Sequence, residues 1–305
     1  MGSVKILLHP ALPHCAEMRE YLIVQSGLEN HPEVELVDSA DDADLIFFTC
    51  RSVAFGDFDV PMPYDPKKVV FVDWGDSSTE CYNVECHMYF KRSWFAPDWF
   101  QDTDKFVYFK RYKKKWPAHY RPFTYAVDRL ISSAPKTIDL GCYVGSEQYN
   151  RRHAVEMCGC IYHNNKLIAQ PEPGKEAYFE MLKRTRIIVT CQPDKCSGDI
   201  RTWEAFAARA LVCVDRLPPL SHPFVDGKHC IIFEPTKLGF RELKGKIEYY
   251  LQHLDEAEEI ATQGHEHAIT YHRAVDRVGE MIDLALGRKN EIRASNEKWR
   301  SGNPL

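Results

Sequence analysis

Strand-sized apolar runs alternate with helix-like segments along most of this chain, and this alternation restricts its fold more than any other feature. The first series begins with a predicted strand at 4–8 and a predicted helix at 13–25, which starts at a proline and is expected to stop at Gly27. Further predicted strands lie at 34–37, 45–48, 68–72 and 106–109. Strands and helices that alternate in this way fold into an open parallel sheet.

A second series of the same kind follows a connector at 118–122, which is bracketed by Pro117 and Pro122. Its predicted strands lie at 137–140, near Ile161, and at 186–190, 211–214 and 229–233. Its predicted helices lie at 147–157, 175–183, 200–208, through Tyr249 and Tyr250, and across 255–286, where Gly264 and Gly287 act as punctuation. The sequence therefore predicts an α/β protein with two parallel-sheet domains, at 1–121 and 122–288, and a terminal helix or tail at 289–305.

Length and composition exclude several classes of protein. The 305 residues suffice for two domains with their own cores. Lys and Arg number 39 against 44 Asp and Glu, a net charge of −5, which argues against a nucleic-acid binder with a broad basic surface. No run approaches the roughly 20 apolar residues of a membrane span. Eleven cysteines without a secretory signal favour reduced thiols and a cytoplasmic protein.

The most informative segment links the predicted strands at 186–190 and 211–214. The first strand leads into a loop that contains Ser197, Gly198 and Asp199 and that opens the next helix. Free backbone N–H groups and the positive end of the helix dipole at such a position bind phosphate well. The segment therefore predicts a seat for an anionic ligand.

Two charged residues follow on one face of the same helix. Arg201 can offer its guanidinium to a diphosphate, and Glu204 can accept hydrogen bonds from the two hydroxyls of a ribose. Together they indicate a nucleoside diphosphate. The plainer alternative is an exposed ion pair between residues three apart, worth a few tenths of a kcal/mol.

This arrangement of strand, glycine-containing loop, Arg-x-x-Glu-Ala helix and apolar strand ending at Asp215 resembles the donor-binding motif of GT-B glycosyltransferases. The likeness is greatest to exostosin-like and CgeB-like group 1 enzymes, and to small chlorovirus xylosyltransferases. Gly145 and Ser146, followed by Arg151 and Arg152, resemble the first loop of the second domain in these enzymes. The resemblance covers roughly residues 105–285, whereas the first hundred residues match only in their alternation of strands and helices.

The resemblance implies the GT-B architecture, in which two Rossmann-like domains face a cleft, with the acceptor on the first and a UDP-sugar donor on the second. It implies transfer to a carbohydrate hydroxyl without a metal or another cofactor, and the net charge gives no reason to expect a nucleic-acid partner. The residues that it assigns to donor binding are Gly145, Ser146, Ser197, Gly198, Asp199, Arg201 and Glu204. Among them Arg201 would meet the diphosphate and Glu204 the ribose. Arg111 lies in a run of basic and aromatic residues at 109–116 and is a further candidate for the diphosphate, whereas the plainer alternative for this run is a solvated loop.

If the transfer inverts the sugar, a base in the first domain must deprotonate the acceptor hydroxyl. Asp73 closes the predicted strand at 68–72 and is the first candidate, with Trp74 beside it to stack on a sugar ring. Asp76 is the second candidate, and His14 follows. The alternative for Asp73 is that it caps the turn after the strand through the backbone.

Two other functions compete with this interpretation. The segment Ile138–Gly145 resembles the glycine-rich loop of methyltransferases that use S-adenosylmethionine, but Tyr143 stands where close backbone approach needs glycine. A non-catalytic module that binds nucleotide sugars would keep Arg201 and Glu204 without needing Asp73. The sequence favours a glycosyltransferase that moves a sugar such as xylose.

Overall fold

The computed structural model describes residues 2–10, 19–50, 62–75, 84–92, 120–144, 149–161, 176–192, 199–215, 217 and 222–289. The predicted strand at 106–109 and the candidate residues His14, Asp76, Arg111, Gly145, Ser146, Ser197 and Gly198 lie outside these residues. The chain divides into two compact units. The first holds the described residues of Met1–Thr124 and of Ala274–Pro304, and the second holds those of Tyr125–Pro218 and His222–Arg273.

Within the described residues, the first unit contains a six-stranded parallel sheet in the order β2-β1-β3-β4-β5-β6. Its strands are β1 Val4–Leu8, β2 Val34–Leu36, β3 Leu45–Cys50, β4 Val69–Asp73, β5 Met88–Lys91 and β6 Tyr120–Pro122. Every residue of β3, β4 and β5 is buried, as expected for the centre of a parallel sheet. A short 3-10 helix, Pro66–Lys68, precedes β4.

Two strands of this sheet differ from the sequence analysis. It assigned no strand to β5, although Met88–Lys91 is fully buried and pairs with both β4 and β6. Part of the predicted connector at 118–122 is the edge strand β6. Pro122 fits there because an edge strand tolerates a residue that lacks an N–H group.

Among the described residues, the α-helices of the first unit are α1, Arg19–Glu29, and α7, Ala274–Ala285, which pack on each other. The prediction that the first helix stops at Gly27 is wrong, because α1 continues past it. A Cβ atom at Gly27 would lie 2.4 Å from Val278 Cγ2 and 2.7 Å from the carbonyl oxygen of Ala274. The glycine therefore provides the close approach of α7. This contact groups α7 with the first unit, although the sequence analysis places 122–288 in one domain.

Within the described residues, the second unit contains a four-stranded parallel sheet in the order β10-β9-β8-β7. Its strands are β7 Ile138–Gly141, β8 Thr185–Thr190, β9 Leu211–Asp215 and β10 Ile231–Phe233. Its helices are α2 Tyr149–Ile161, α3 Glu176–Arg184, α4 Ile200–Ala207, α5 Lys237–Gln252 and α6 Leu254–Tyr271. The predicted strand near Ile161 is wrong, because α2 extends to that residue.

The two glycines predicted to punctuate the last helical segment have different roles. Gly264 lies inside α6, where a Cβ atom would approach the carbonyl oxygen of His229 to 2.0 Å. Its function is close packing, so the prediction of a break there is wrong. Gly287 follows α7 with a φ of 67°, the left-handed conformation that commonly ends a helix. No helix in the described parts of the chain has both the length and the apolar character to cross a bilayer.

Candidate functional site

The candidate donor site lies where α4 begins, at the carboxyl edge of the second sheet. β8 ends at Thr190, and α4 starts with Asp199 as its N-cap residue. The hydroxyl of Thr202, in the first turn of α4, lies 2.9 Å from Thr190 Oγ1. The start of the helix is thereby fixed to the end of the strand, the edge at which open α/β sheets bind their ligands.

Two guanidinium groups converge on the Asp199 carboxylate. Its Oδ1 accepts from the backbone N–H of Arg201 at 3.0 Å and from Arg201 Nη1 at 3.2 Å. Its Oδ2 accepts from Arg151 Nη2 at 2.6 Å, and Arg151 comes from α2. The three side chains together carry one excess positive charge, which suits an anionic ligand.

Arg201 itself is mostly buried, with 19% of its side chain exposed. Burial works against its positive charge, but the nearby Asp199 carboxylate more than compensates and raises its pKa. Its Nε atom is buried and has no hydrogen-bond partner among the described residues. A buried donor without a partner is costly, so an acceptor supplied by a ligand would satisfy it.

Glu204 lies one turn further along α4 and is only 3% exposed. Its Oε2 accepts a hydrogen bond of 2.6 Å from the hydroxyl of Tyr178, a buried residue of α3. Because Arg201 pairs with Asp199 and Glu204 contacts Tyr178, the alternative of an exposed ion pair between Arg201 and Glu204 is wrong. Both charged groups are instead mostly buried in the second unit, and each is held by a different neighbouring side chain.

A third carboxyl group, Asp215, closes β9 next to this cluster. Burial raises its pKa to about 7, and the hydrogen bonds from the Gln192 N–H to both carboxyl oxygens, at 3.1 Å, oppose that rise. The charge of Asp199 also raises the pKa, while Arg151 lowers it. The charged groups at the start of α4 therefore influence the pKa of Asp215.

Asp73, the first candidate for a base, ends β4 and is buried. Its carboxylate accepts from the Gly75 N–H at 2.7 Å and from the Tyr89 hydroxyl at 2.5 Å, and it pairs with Lys91 Nζ at 2.9 Å. The alternative that Asp73 caps the turn is thus confirmed by the Gly75 contact. Its role as a base stays a prediction.

Trp74 is 1% exposed, and its indole N–H donates to Thr49 Oγ1 at 2.9 Å. The prediction that it stacks on a sugar ring is wrong, because packing encloses the ring. Two buried cations that the sequence analysis did not select fix the backbone here. Lys91 donates to the carbonyl of Gly75 at 3.0 Å, and Arg92 donates twice to the carbonyl of Trp74, at 3.1 and 3.0 Å.

The sequence analysis missed two residues of the donor site. Arg151 had a signal, because it belongs to the Arg151-Arg152 pair within the resemblance, yet nothing local predicted its contact with Asp199. Tyr178 had none, since an aromatic residue on an amphipathic helix is normally part of the core. Among the described residues, no cluster of three or more His, Cys, Asp or Glu side chains could hold a metal ion.

Comparison with known proteins extends this picture. The sequence profile of the family described as Glycosyl transferase-like matches residues 129–283, just over half of the chain. That range includes every described residue of the donor site. No curated protein matches the sequence.

Three solved structures resemble the whole chain at low sequence identity. An α1,3-fucosyltransferase has 11% identity and a TM-score of 0.50, over 94% of this chain and 90% of that one. A glycosyltransferase from Rickettsia africae ESF-5 has 11% identity and a TM-score of 0.53, over 94% and 98%. An α-glucosyltransferase in complex with UDP-glucose and DNA containing an abasic site has 10% identity and a TM-score of 0.53, over 93% and 99%. The predicted fold class, α/β of GT-B type with two parallel sheets, is confirmed.

Proposed function

We propose that this chain, which belongs to the Glycosyl transferase-like family, moves a sugar from a UDP-sugar to a carbohydrate hydroxyl. The family makes it a glycosyltransferase, and the proposal adds the donor, the class of acceptor and the residues. The observation that carries the proposal is the convergence of Arg151 and Arg201 on Asp199 at the start of α4. The family profile also covers the loop at 138–145, which leaves the methyltransferase alternative without support.

The diphosphate is proposed to bind at the start of α4. The excess positive charge of Arg151, Arg201 and Asp199 favours phosphate oxygens, and so does Arg201 Nε, which has no acceptor in the described parts of the chain. The N-terminus of α4 adds the positive end of the helix dipole. Further phosphate or sugar contacts are proposed for Gly145, Ser146, Ser197, Gly198 and Arg111.

The ribose is proposed to bind Glu204. Its Oε2 accepts from the Tyr178 hydroxyl, and an ionised carboxylate at this place would also accept hydrogen bonds from the ribose hydroxyls. The side chain lies one helical turn from Arg201, the distance along the helix axis that separates neighbouring parts of one nucleotide. The structurally similar α-glucosyltransferase was solved in complex with UDP-glucose, which supports a uridine nucleotide as the ligand here.

In the proposed reaction, the bond between the anomeric carbon and the diphosphate oxygen breaks as the acceptor oxygen bonds to that carbon. The acceptor proton passes to a base, with inversion of the sugar, and UDP leaves with both electrons of the broken bond. Arg151, Arg201 and the dipole of α4 stabilise the charge that develops on the departing diphosphate. The proposed transfer therefore needs no metal ion. The transferred sugar is proposed to be a pentose such as xylose.

The base is proposed to be Asp76, Asp73 or His14 of the first unit. The contacts of Asp73 favour its two competitors, because three donors, one of them the Lys91 ammonium, already stabilise that carboxylate in a buried place. An acceptor hydroxyl also has little access to this carboxylate, because Asp73 is only 1% exposed.

The first experiment is to measure UDP binding by calorimetry and to screen a panel of nucleotide sugars for turnover. We expect UDP to bind, S-adenosylmethionine not to bind, and one UDP-sugar to be consumed. Arg201→Ala should weaken UDP binding at least about tenfold, because a charge-assisted contact is lost. Unchanged UDP binding in this variant would remove Arg201 from the site, and binding without any turnover would indicate a non-catalytic module.

A matched pair tests the second guanidinium. Arg151→Ala should weaken UDP binding, and it also removes one of the two guanidinium partners of Asp199. Arg152→Ala removes an exposed arginine from the same helix and should leave the affinity for UDP within about twofold of the wild type. Equal losses in both variants would mean that only the general charge of α2 matters. That result would contradict a specific contact between Arg151 and the diphosphate.

A further inference from the structure

We infer that Tyr178 is a positioning residue for the Glu204 carboxylate and thereby sets a preference of the donor site for ribonucleotides over 2′-deoxyribonucleotides. The inference rests on the proposed function, in which Glu204 binds the ribose hydroxyls. Tyr178 itself lies on α3 and acts through Glu204, without touching the nucleotide.

The hydrogen bond between the two residues is of the kind that an ionised carboxylate accepts. Its length of 2.6 Å, from the Tyr178 hydroxyl to Glu204 Oε2, is that of a hydroxyl donating to an ionised carboxylate. An ionised carboxylate only accepts hydrogen bonds. The two hydroxyls of a ribose are donors at its 2′ and 3′ positions, so this state matches them.

The bond also fixes the place of the carboxylate. Tyr178 is 1% exposed, and its ring meets Phe179 and Tyr143 edge-on, with centroids 5.4 and 6.2 Å away. The phenol therefore has one position, whereas a glutamate side chain has several rotamers. By bonding Oε2, Tyr178 selects one of these rotamers before a ligand arrives, which reduces the entropy that binding must overcome.

The location of the bond links α3 to the ligand-binding face of α4. Asp199, which also pairs with Arg151, holds the guanidinium of Arg201 at the first turn of α4, and Tyr178 holds Glu204 one turn later. The spacing between the proposed diphosphate and ribose contacts is thus set from two different helices. A nucleotide without the 2′-hydroxyl would leave a positioned, buried carboxylate with one donor fewer, a loss that such sites penalise strongly.

Tyr178→Phe tests the inference, because it removes the hydroxyl and keeps the ring. The matched control is Tyr143→Phe, which removes another buried hydroxyl of the same unit, 2.7 Å from Thr185 Oγ1. Both variants lose one tyrosine hydrogen bond, but only the first touches Glu204. Affinities for UDP and for 2′-deoxy-UDP are measured by calorimetry, together with KM and kcat for the UDP-sugar that the wild type consumes.

We expect the wild type to prefer UDP to 2′-deoxy-UDP by about tenfold or more, since one charged hydrogen bond separates the two ligands. Tyr178→Phe should bind UDP about tenfold more weakly and 2′-deoxy-UDP almost as before, so that the preference falls to near one. Its KM should rise more than its kcat falls. Tyr143→Phe should keep the wild-type preference, which a purely structural role of both tyrosines would not allow.

Other outcomes separate the inference from the proposed function. If Tyr178→Phe keeps the wild-type preference while Glu204→Gln abolishes it, the role of Tyr178 is overturned and Glu204 still binds ribose. If the wild type does not bind UDP, or Glu204→Gln changes nothing, the proposed function itself fails. Should Tyr178→Phe not fold, Glu204→Asp retracts the charge from Tyr178 by one methylene, and an unchanged preference in that variant overturns positioning.

Discussion

Two buried carboxylates of this protein, Asp73 and Asp199, differ in the charge that surrounds them. Asp73 faces one ammonium group, that of Lys91, so the pair is neutral and self-contained. Asp199 faces two guanidinium groups, so these three side chains together carry one excess positive charge. The first arrangement holds a turn in place, and the second is the proposed site for an anion.

The Asp73 pair gives a prediction about stability. Asp73→Asn should destabilise the protein by about 3–5 kcal/mol, because the buried Lys91 ammonium loses its counter-charge. Tyr89→Phe, which removes one neutral donor from the same carboxylate, should cost about 1–3 kcal/mol. Denaturant unfolding measures both. A stable Asp73→Asn variant that binds UDP but does not turn over would instead identify Asp73 as the base.

Asp215 gives a prediction about pH. Burial raises its pKa from 3.8 to about 7 in the folded protein, so the folded state binds more protons than the unfolded state between these values. Its contribution to stability is therefore greatest at low pH and is lost as the pH rises from about 4 through 7. Asp215→Asn does not titrate, so its stability relative to the wild type should grow over this range by on the order of 4 kcal/mol.

Denaturant unfolding of both proteins at several pH values between 4 and 8 measures this difference. A difference that stays constant across the range would show that the carboxyl group of Asp215 titrates alike in the folded and unfolded protein.

At the scale of elements, helices approach their neighbours through glycines. Gly27 admits α7 to α1, and Gly264 brings α6 against the carbonyl of His229. From sequence alone, a glycine that allows close packing inside a helix cannot be distinguished from a glycine that ends a helix. Gly27 and Gly264 were therefore both predicted as helix ends. The difference lies in the partner surface, and that surface comes from a distant part of the chain.

Gly264 gives a prediction with an internal control. Gly264→Ala should destabilise the protein by about 2–4 kcal/mol, because its Cβ would lie 2.0 Å from a backbone oxygen that packing holds in place. Gly245, inside α5, has nothing within 4 Å of its Cβ position, so Gly245→Ala should stabilise by about 0.5–1 kcal/mol. Thermal unfolding gives both values, and a loss in Gly245→Ala similar to that in Gly264→Ala would refute the packing argument.

How far the elements were predictable follows the same division between local and distant information. Most strands were predicted because they form short apolar runs, of which β3, β4 and β9 are buried along their whole length. β5 was missed because its buried lysine, Lys91, gains its partner, Asp73, only when β4 and β5 lie side by side. The candidate site follows this rule too, since Asp199, Arg201 and Glu204 lie together at the start of α4, whereas Arg151 and Tyr178 reach them from α2 and α3.

At the scale of the whole molecule, the two units have different relations to the chain. The second unit takes nearly all of its described residues from one continuous stretch, Tyr125–Arg273. The first unit combines the sheet built from the beginning of the chain with α7, which follows the second unit in sequence. The unit that contains the proposed donor site is thus continuous, and the unit that contains Asp73 is not.

A truncation after Arg273 tests this division. Removal of α7 exposes the surface of α1 around Gly27, so amide hydrogen exchange in α1 should become at least about tenfold faster. Exchange in β8 and α4 should change little, because their contacts lie within the second unit. Equal loss of protection in both units would contradict two separately packed bodies.

The position of α7 in the sequence affects the order in which the two units can fold during synthesis on the ribosome. Residues 125–273 emerge from the ribosome before α7. The described strands of the second unit, β7–β10, are therefore complete while the first unit still lacks α7, which packs on α1. During synthesis, the N-terminal domain of a protein usually folds first. Here the sheet that is synthesised first completes its packing last. Until α7 is synthesised, the apolar surface of α1 that α7 covers stays exposed, and a chaperone could bind it.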